Sequence, residues 1–142
     1  MNREELKNVL PHREPMLLVD NVEVDGDWVN ATYTVRGDEH FLQGHFPGMP
    51  VVPGVILCEI MAQSCCLLIS DLLEENLPLY AGIDNARFKT PAVPGDTINI
   101  RARVTQRRGK VVFVEATSKV NDKICCSGNF SFVLIPKPDN NC

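Results

Sequence analysis

The sequence lacks an excess of positive charge, a leader-like N-terminus, cysteines at metal-binding spacing, and any internal repeat. Lys and Arg number 14 against 18 Asp and Glu, a formal net charge of −4, which argues against a general nucleic-acid binder. The start, Met1-Asn2-Arg3-Glu4-Glu5-Leu6-Lys7, mixes both signs and lacks the apolar run of a secretory signal. No apolar stretch is expected to span a bilayer, so the chain reads as cytoplasmic, without membrane insertion. The six cysteines include two adjacent pairs, Cys65-Cys66 and Cys125-Cys126, instead of C-x-x-C spacing. Cys58, Cys65 and Cys66 sit among apolar residues, where free cysteine behaves as a small hydrophobe. They read as reduced core thiols in a reducing compartment.

What is present fits one domain over residues 1–142. The chain is 44% hydrophobic and 23% charged, enough to bury a substantial core. Met16 to Val24 has strand composition, and Asp25-Gly26 signals a hairpin. Val29, Ala31, Tyr33 and Val35 then alternate with Asn30, Thr32 and Thr34, a half-buried antiparallel strand. From Gly37 to Pro53 periodicity vanishes, in a stretch with three prolines, three glycines and two of the three histidines. Its apolar residues make disorder a poor explanation, and long irregular loops in compact domains are otherwise functional. A helix is predicted from Gly54 to about Glu75, apolar almost all round and therefore buried almost all round. Its polar residues Glu59, Gln63 and Ser70 fall on one face. Strands are predicted near 79–88, 96–107, 111–120 and 123–135, followed by a frayed polar tail over residues 136–142. The sum is α+β: a curved, mainly antiparallel sheet around one long helix.

Three features carry chemistry. Glu59 lies on the buried helix. Burial disfavours the charged form of a carboxyl, and a protonated one can serve as a general acid; capping by Gln63 or pairing to an arginine is the plain structural alternative. His45 sits in Gln43-Gly44-His45-Phe46-Pro47-Gly48, where the glycines permit close backbone approach, and histidine is the usual base near neutral pH. A buried structural histidine is equally compatible with that setting. Pro53-Gly54 opens the helix and leaves N–H groups free at the positive end of its dipole, able to hold a carbonyl oxygen that gains charge. Base, acid and oxyanion donors together suit proton abstraction next to a carbonyl.

The run Gly44-His45-Phe46-Pro47-Gly48-Met49-Pro50-Val51-Val52-Pro53-Gly54-Val55 closely resembles the signature loop of the 3-hydroxyacyl-acyl carrier protein dehydratases of fatty acid synthesis. The likeness continues through Glu59, fourteen residues after His45, to Ala62-Gln63. It also takes in Leu10-Pro11-His12-Arg13, Val19-Asp20, Ala81-Gly82-Ile83-Asp84, Ala86-Arg87-Phe88 and Pro94-Gly95-Asp96. The resemblance implies the hot dog fold and a homodimer, commonly assembled into hexamers, in which His45 of one subunit meets Glu59 of the other. It assigns His45 to the α-proton, Glu59 to the departing 3-hydroxyl, Gly54 N–H to the thioester carbonyl and Gln63 to orienting Glu59. Phe46, Val55, Tyr80 and Phe88 would line the acyl tunnel or its entrance. The substrate would be a phosphopantetheine-linked acyl chain on acyl carrier protein, with no metal or cofactor, because the thioester already acidifies the α-carbon. Glutamate at position 59 favours the non-isomerising branch. His12 would be structural or support the site. The arginine-rich segment (Arg101, Arg103, Arg107, Arg108 and Lys110) reads first as a solvated face; its alternative role is docking the acidic carrier, for which Arg87 and Lys89 compete. A thioesterase and a silent acyl-binding subunit are the rival functions.

Overall fold

Alternation decides the sheet. In the computed structural model, which describes residues 1–138, Val29, Ala31, Tyr33 and Val35 are all buried, as are Ile98, Ile100 and Ala102. Six strands pair in the order β1-β2-β4-β5-β6-β3: β1 Asn21–Asp25, β2 Trp28–Thr34, β3 Asn76–Phe88, β4 Thr97–Arg108, β5 Val111–Val120 and β6 Lys123–Pro136. All five pairings are antiparallel. The β1–β2 hairpin turns through Gly26 at φ 62°, and β5–β6 turns through Asn121 and Asp122 at φ 50° and 64°, the left-handed geometry that matches strand twist. On the outer face the only tryptophan, Trp28, lies under the guanidinium groups of Arg101 and Arg103, 4.7 and 4.9 Å from its ring centre.

The predicted first strand begins late. Leu17, Leu18 and Val19 are consecutive and all buried, which a two-residue alternation cannot achieve. Their backbone groups go to side chains instead of a neighbouring strand. Arg3 donates to Leu17 O and Val19 O at 2.6 and 3.3 Å, while Gln63 binds Met16 O and Leu18 N–H. Arg3 itself opens a short helix α1, Arg3–Leu6, capped by Asn2.

The predicted long helix is real but broken. Helix α2 spans Gly54–Ser64, a 3-10 segment covers Cys65–Ile69, and a short α3 follows at Ser70–Leu73. The break falls where Ser64 Oγ, Cys65 Sγ and Cys66 Sγ donate in turn to Ile60 O, Met61 O and Ala62 O. Those carbonyls are the acceptors that the next α-helical N–H groups would use, so side chains compete with the backbone and tighten the turn. The twenty residues Gly54–Leu73 are, by length and composition, apolar enough to cross a membrane, contrary to the sequence expectation. Most of their apolar side chains instead pack into or against the core, with α2 lying against β2, β4, β5 and β6. Pro136 still pairs with Asn76, and Lys137 N–H reaches Glu75 O at 2.9 Å, so strand order continues past the expected start of the tail. Residues 139–142 of that tail, Cys142 included, lie outside the described residues. Cys58, Cys65, Cys66, Cys125 and Cys126 are buried free thiols.

Candidate active site

Residues 59, 62, 63, 66 and 69 follow one helical face at steps of three and four, and that face lines a small, partly open cavity of about 50 Å³. Glu59 opens it. His12, Tyr80 and Phe132 close it from other elements. Gln63, 2% exposed, donates from Nε2 to Glu59 Oε2 at 3.1 Å and to Met16 O at 2.7 Å, and its Oε1 accepts Leu18 N–H at 2.8 Å. The amide is thereby fixed in one orientation and presents a donor to the carboxylate. His12 Nε2 lies 3.7 Å from the same Oε2. Tyr80 donates its hydroxyl to Cys58 O at 3.2 Å and stacks near Phe132, with ring centres 5.2 Å apart. Burial pushes the Cys65 thiol up to about 12 and raises Cys66 as well, so the cavity's sulfur groups stay neutral.

His45 stands on the loop that the sequence marked as irregular. Gly44 and Gly48 adopt φ 81° and 87°, and Phe46 adopts φ 56°. For a bulky non-glycine residue this is a strained conformation of the kind that clusters at functional sites. The loop sets His45 beside Phe46, ring centres 4.2 Å apart, and brings His45 Nδ1 to 2.8 Å from Val51 O. A carbonyl only accepts, so Nδ1 carries a proton in this contact, and Nε2 is the ring nitrogen not engaged by Val51. At the helix start, Gly54 and Val55 N–H have no hydrogen-bond partner among the described residues. A Cβ on Gly54 would fall 2.8 Å from Phe88 Cε1, so a larger residue there would make the half-exposed Phe88 ring shift.

Within one chain these parts form two groups. Glu59, Gln63, His12 and Tyr80 share the cavity, whereas no hydrogen bond or ion pair joins His45 to Glu59 among the described residues. Phe46, Val55 and Phe88 do not line the cavity and are exposed by 59, 72 and 54%. His12 was read from sequence chiefly as structural; only the motif Leu10-Pro11-His12-Arg13 pointed to it. The cavity lining at Cys66 and Ile69 was legible only as spacing from Glu59. The arginine-rich strand is largely neutralised: Arg101, Arg103 and Arg107 pair with Asp25, Glu115 and Asp71. Arg87 and Lys89 are exposed, and neither joins an ion pair among the described residues.

A FabA-like domain matches residues 10–129, so fold and site together define a FabA-like hot dog protein. Among solved structures, the dehydratase heterocomplex ApeI:P from Xenorhabdus doucetiae superposes with a TM-score of 0.78 at 20% identity, covering 95% of this chain and 91% of that one. A mutant thioesterase from Pseudomonas aeruginosa gives a TM-score of 0.67 at 14% identity, covering 96% of both; likeness at this level speaks for the fold alone. Sequence relatives are nearer. The chain is 43% identical over 137 residues to the 3-hydroxyacyl-[acyl-carrier-protein] dehydratase FabZ of Clostridium perfringens, covering 94% of this chain and 99% of the relative. It is 44% identical over 133 residues to the enzyme of the same name from Streptococcus sanguinis, covering 91% and 94%. The chain belongs to the FabZ-type 3-hydroxyacyl-[acyl-carrier-protein] dehydratase family.

Proposed function

We propose that the protein dehydrates (3R)-hydroxyacyl-acyl carrier protein to the trans-2-enoyl thioester in fatty acid biosynthesis, using His45 and Glu59 from different subunits. His45 Nε2 removes the proton from C2, and the C–H electrons become the C2–C3 double bond as the C3–O bond breaks. Glu59 gives its proton to the departing oxygen, which leaves as water. Gly54 N–H, with the helix dipole behind it, stabilises charge on the thioester carbonyl. Gln63 keeps the Glu59 carboxyl aimed. The observation that carries the reading is the separation itself: a poised base on the loop and an oriented acid in the cavity, not joined within one chain.

A homodimer is supported by β3, a thirteen-residue strand that pairs with β6 along one edge and, among the described residues, has no partner on the other. Unpaired edges of that length invite another chain. Leu79, Tyr80, Ile83 and Phe88 along it are exposed by 41 to 54%, a patch of the kind that marks interfaces. Phe88 also touches Gly54, so a partner on this edge would lie beside the helix start. We take the dimer as the working unit and a hexamer as its assembly, in a reducing cytoplasm that suits the free thiols.

The test is complementation. His45→Ala and Glu59→Gln each abolish turnover of 3-hydroxybutyryl-acyl carrier protein, followed by mass spectrometry of the enoyl product. Unfolded and refolded together, the two variants yield hybrid dimers with one intact site each and recover about a quarter of wild-type activity. No recovery would place both residues in one chain. Free acid as the product would support a thioesterase, and no wild-type turnover a silent acyl-binding subunit.

A further inference from the structure

Two nitrogens converge on one oxygen of Glu59. Gln63 Nε2 is 3.1 Å from Oε2 and His12 Nε2 is 3.7 Å from it, while His12 Nδ1 is buried with no hydrogen-bond partner among the described residues. Buried polar groups are normally satisfied. A histidine that only packs would find partners for both ring nitrogens, whereas this one gives up Nδ1 and points Nε2 at a carboxyl. The ring proton accordingly belongs on Nε2, where an acceptor waits. The segment carrying the ring is held firmly. Arg13 donates to the carbonyls of Lys7, Leu10 and His12 at 3.0, 2.9 and 2.7 Å, and Gln63, the holder of Glu59, also binds Met16 and Leu18.

We propose that His12 is a positioning residue for the acid: its Nε2, at 3.7 Å longer than a hydrogen bond, faces the Glu59 Oε2 that Gln63 Nε2 binds and holds that oxygen by electrostatic attraction, which leaves Oε1 to carry the proton given to the departing hydroxyl. The proposal rests on reading Glu59 as the acid of the dehydration. Once Glu59 has released its proton, a carboxylate remains in a poorly hydrated cavity, and fixed N–H donors stabilise it there. The donor must be a neutral ring, and burial lowers the His12 pKa while the Glu59 charge opposes this. The other titratable groups on the lining are Tyr80, Cys65 and Cys66, each pushed up chiefly by burial. The Cys58 thiol, beside Glu59, is lowered chiefly by its neighbour Cys126 of β6, and among the described residues no lysine or arginine lines the cavity.

The direct test needs no substrate. Side-chain NMR of the intact protein follows the His12 ring through its titration, assigned by its loss in His12→Gln. In Glu59→Gln the midpoint should fall, because the charge that raises it is gone; an unchanged midpoint overturns the proposal. Kinetics add a second readout. Phenylalanine at position 12 keeps the ring volume without a donor, and kcat should drop roughly tenfold at nearly constant KM. Glutamine, which can offer Nε2–H, should restore most of that loss. Equal losses in both variants, or a change confined to KM, would reduce His12 to packing. If the wild type dehydrates nothing, the functional reading fails, while the NMR coupling still decides the contact.

Discussion

Exchanging Gln63 for leucine keeps a buried side chain of similar size and deletes three hydrogen bonds, to Met16 O, Glu59 Oε2 and Leu18 N–H. The losses are unequal. Leu18 is 1% exposed, so its N–H is stranded away from water, at a cost of about 2 kcal/mol. Met16 is 41% exposed, so solvent can reach its carbonyl, and about 1 kcal/mol is lost there. The Glu59 carboxyl gives up one donor in a partly open site, another ~1 kcal/mol. Leucine recovers about 1 kcal/mol of apolar burial. The variant should therefore unfold with a free energy about 3 kcal/mol lower, measured by urea titration with circular dichroism at fixed protein concentration, because association shifts apparent stability. Under the proposed role of Glu59 as the acid, its turnover should fall as well. A change below ~1 kcal/mol would mean that the segment around Leu18 is held by something other than this amide.

Gly54→Ala should destabilise the fold by about 1–3 kcal/mol through overlap with Phe88; adding Phe88→Ala should restore thermal stability but not kcat, and recovery of both would remove Gly54 from the carbonyl site. Charge reversal at Arg87 and Lys89 should reduce kcat/KM for carrier-bound substrate far more than for a small thioester, whereas reversal at the already paired Arg101 and Arg103 should discriminate little. Equal losses on both substrates would sink docking at Arg87 and Lys89. Ile83→Lys, on the open β3 edge, should give monomers in sedimentation velocity at concentrations where the wild type is dimeric; an unchanged dimer would locate the interface elsewhere. Because burial lowers the His12 pKa below its usual 6.5, the unfolded chain binds more protons just below that pH, so stability should decline from about pH 6.5 downward. Urea midpoints of His12→Gln should fall less steeply over that window, and parallel profiles would exclude His12 as a contributor.

The sheet was legible wherever one face met water, since alternation at Val29–Val35 and Ile98–Val104 registers burial directly. The order of strands was not, because alternation is blind to which neighbour supplies the hydrogen bonds. The exposure of β3 escaped for the same reason: Leu79, Ile83 and Phe88 look like core residues until the missing partner is noticed. Helix α2 could be read from composition, but its end could not, because apolarity continues through Cys65–Ile69 while three side chains take over the backbone acceptors. Residues 16–19 carry strand composition and still do not pair, since Arg3 and Gln63 reach them from a distance. The catalytic candidates stood out as polar residues in apolar company. His12, in a polar stretch, offered no such contrast.

Trp28 has a practical consequence for anyone who works with this protein in solution. It sits on β2, four strands across the sheet from β3, which puts it roughly 19 Å from that edge at ordinary strand spacing. Its emission therefore reports whether the guanidinium groups of β4 still lie over the indole, and is largely insensitive to events at the far margin. Dilution that splits a dimer joined along the β3 edge should change the spectrum far less than loss of the β2–β4 pairing. One intrinsic fluorophore can thus separate dissociation from unfolding without any added label.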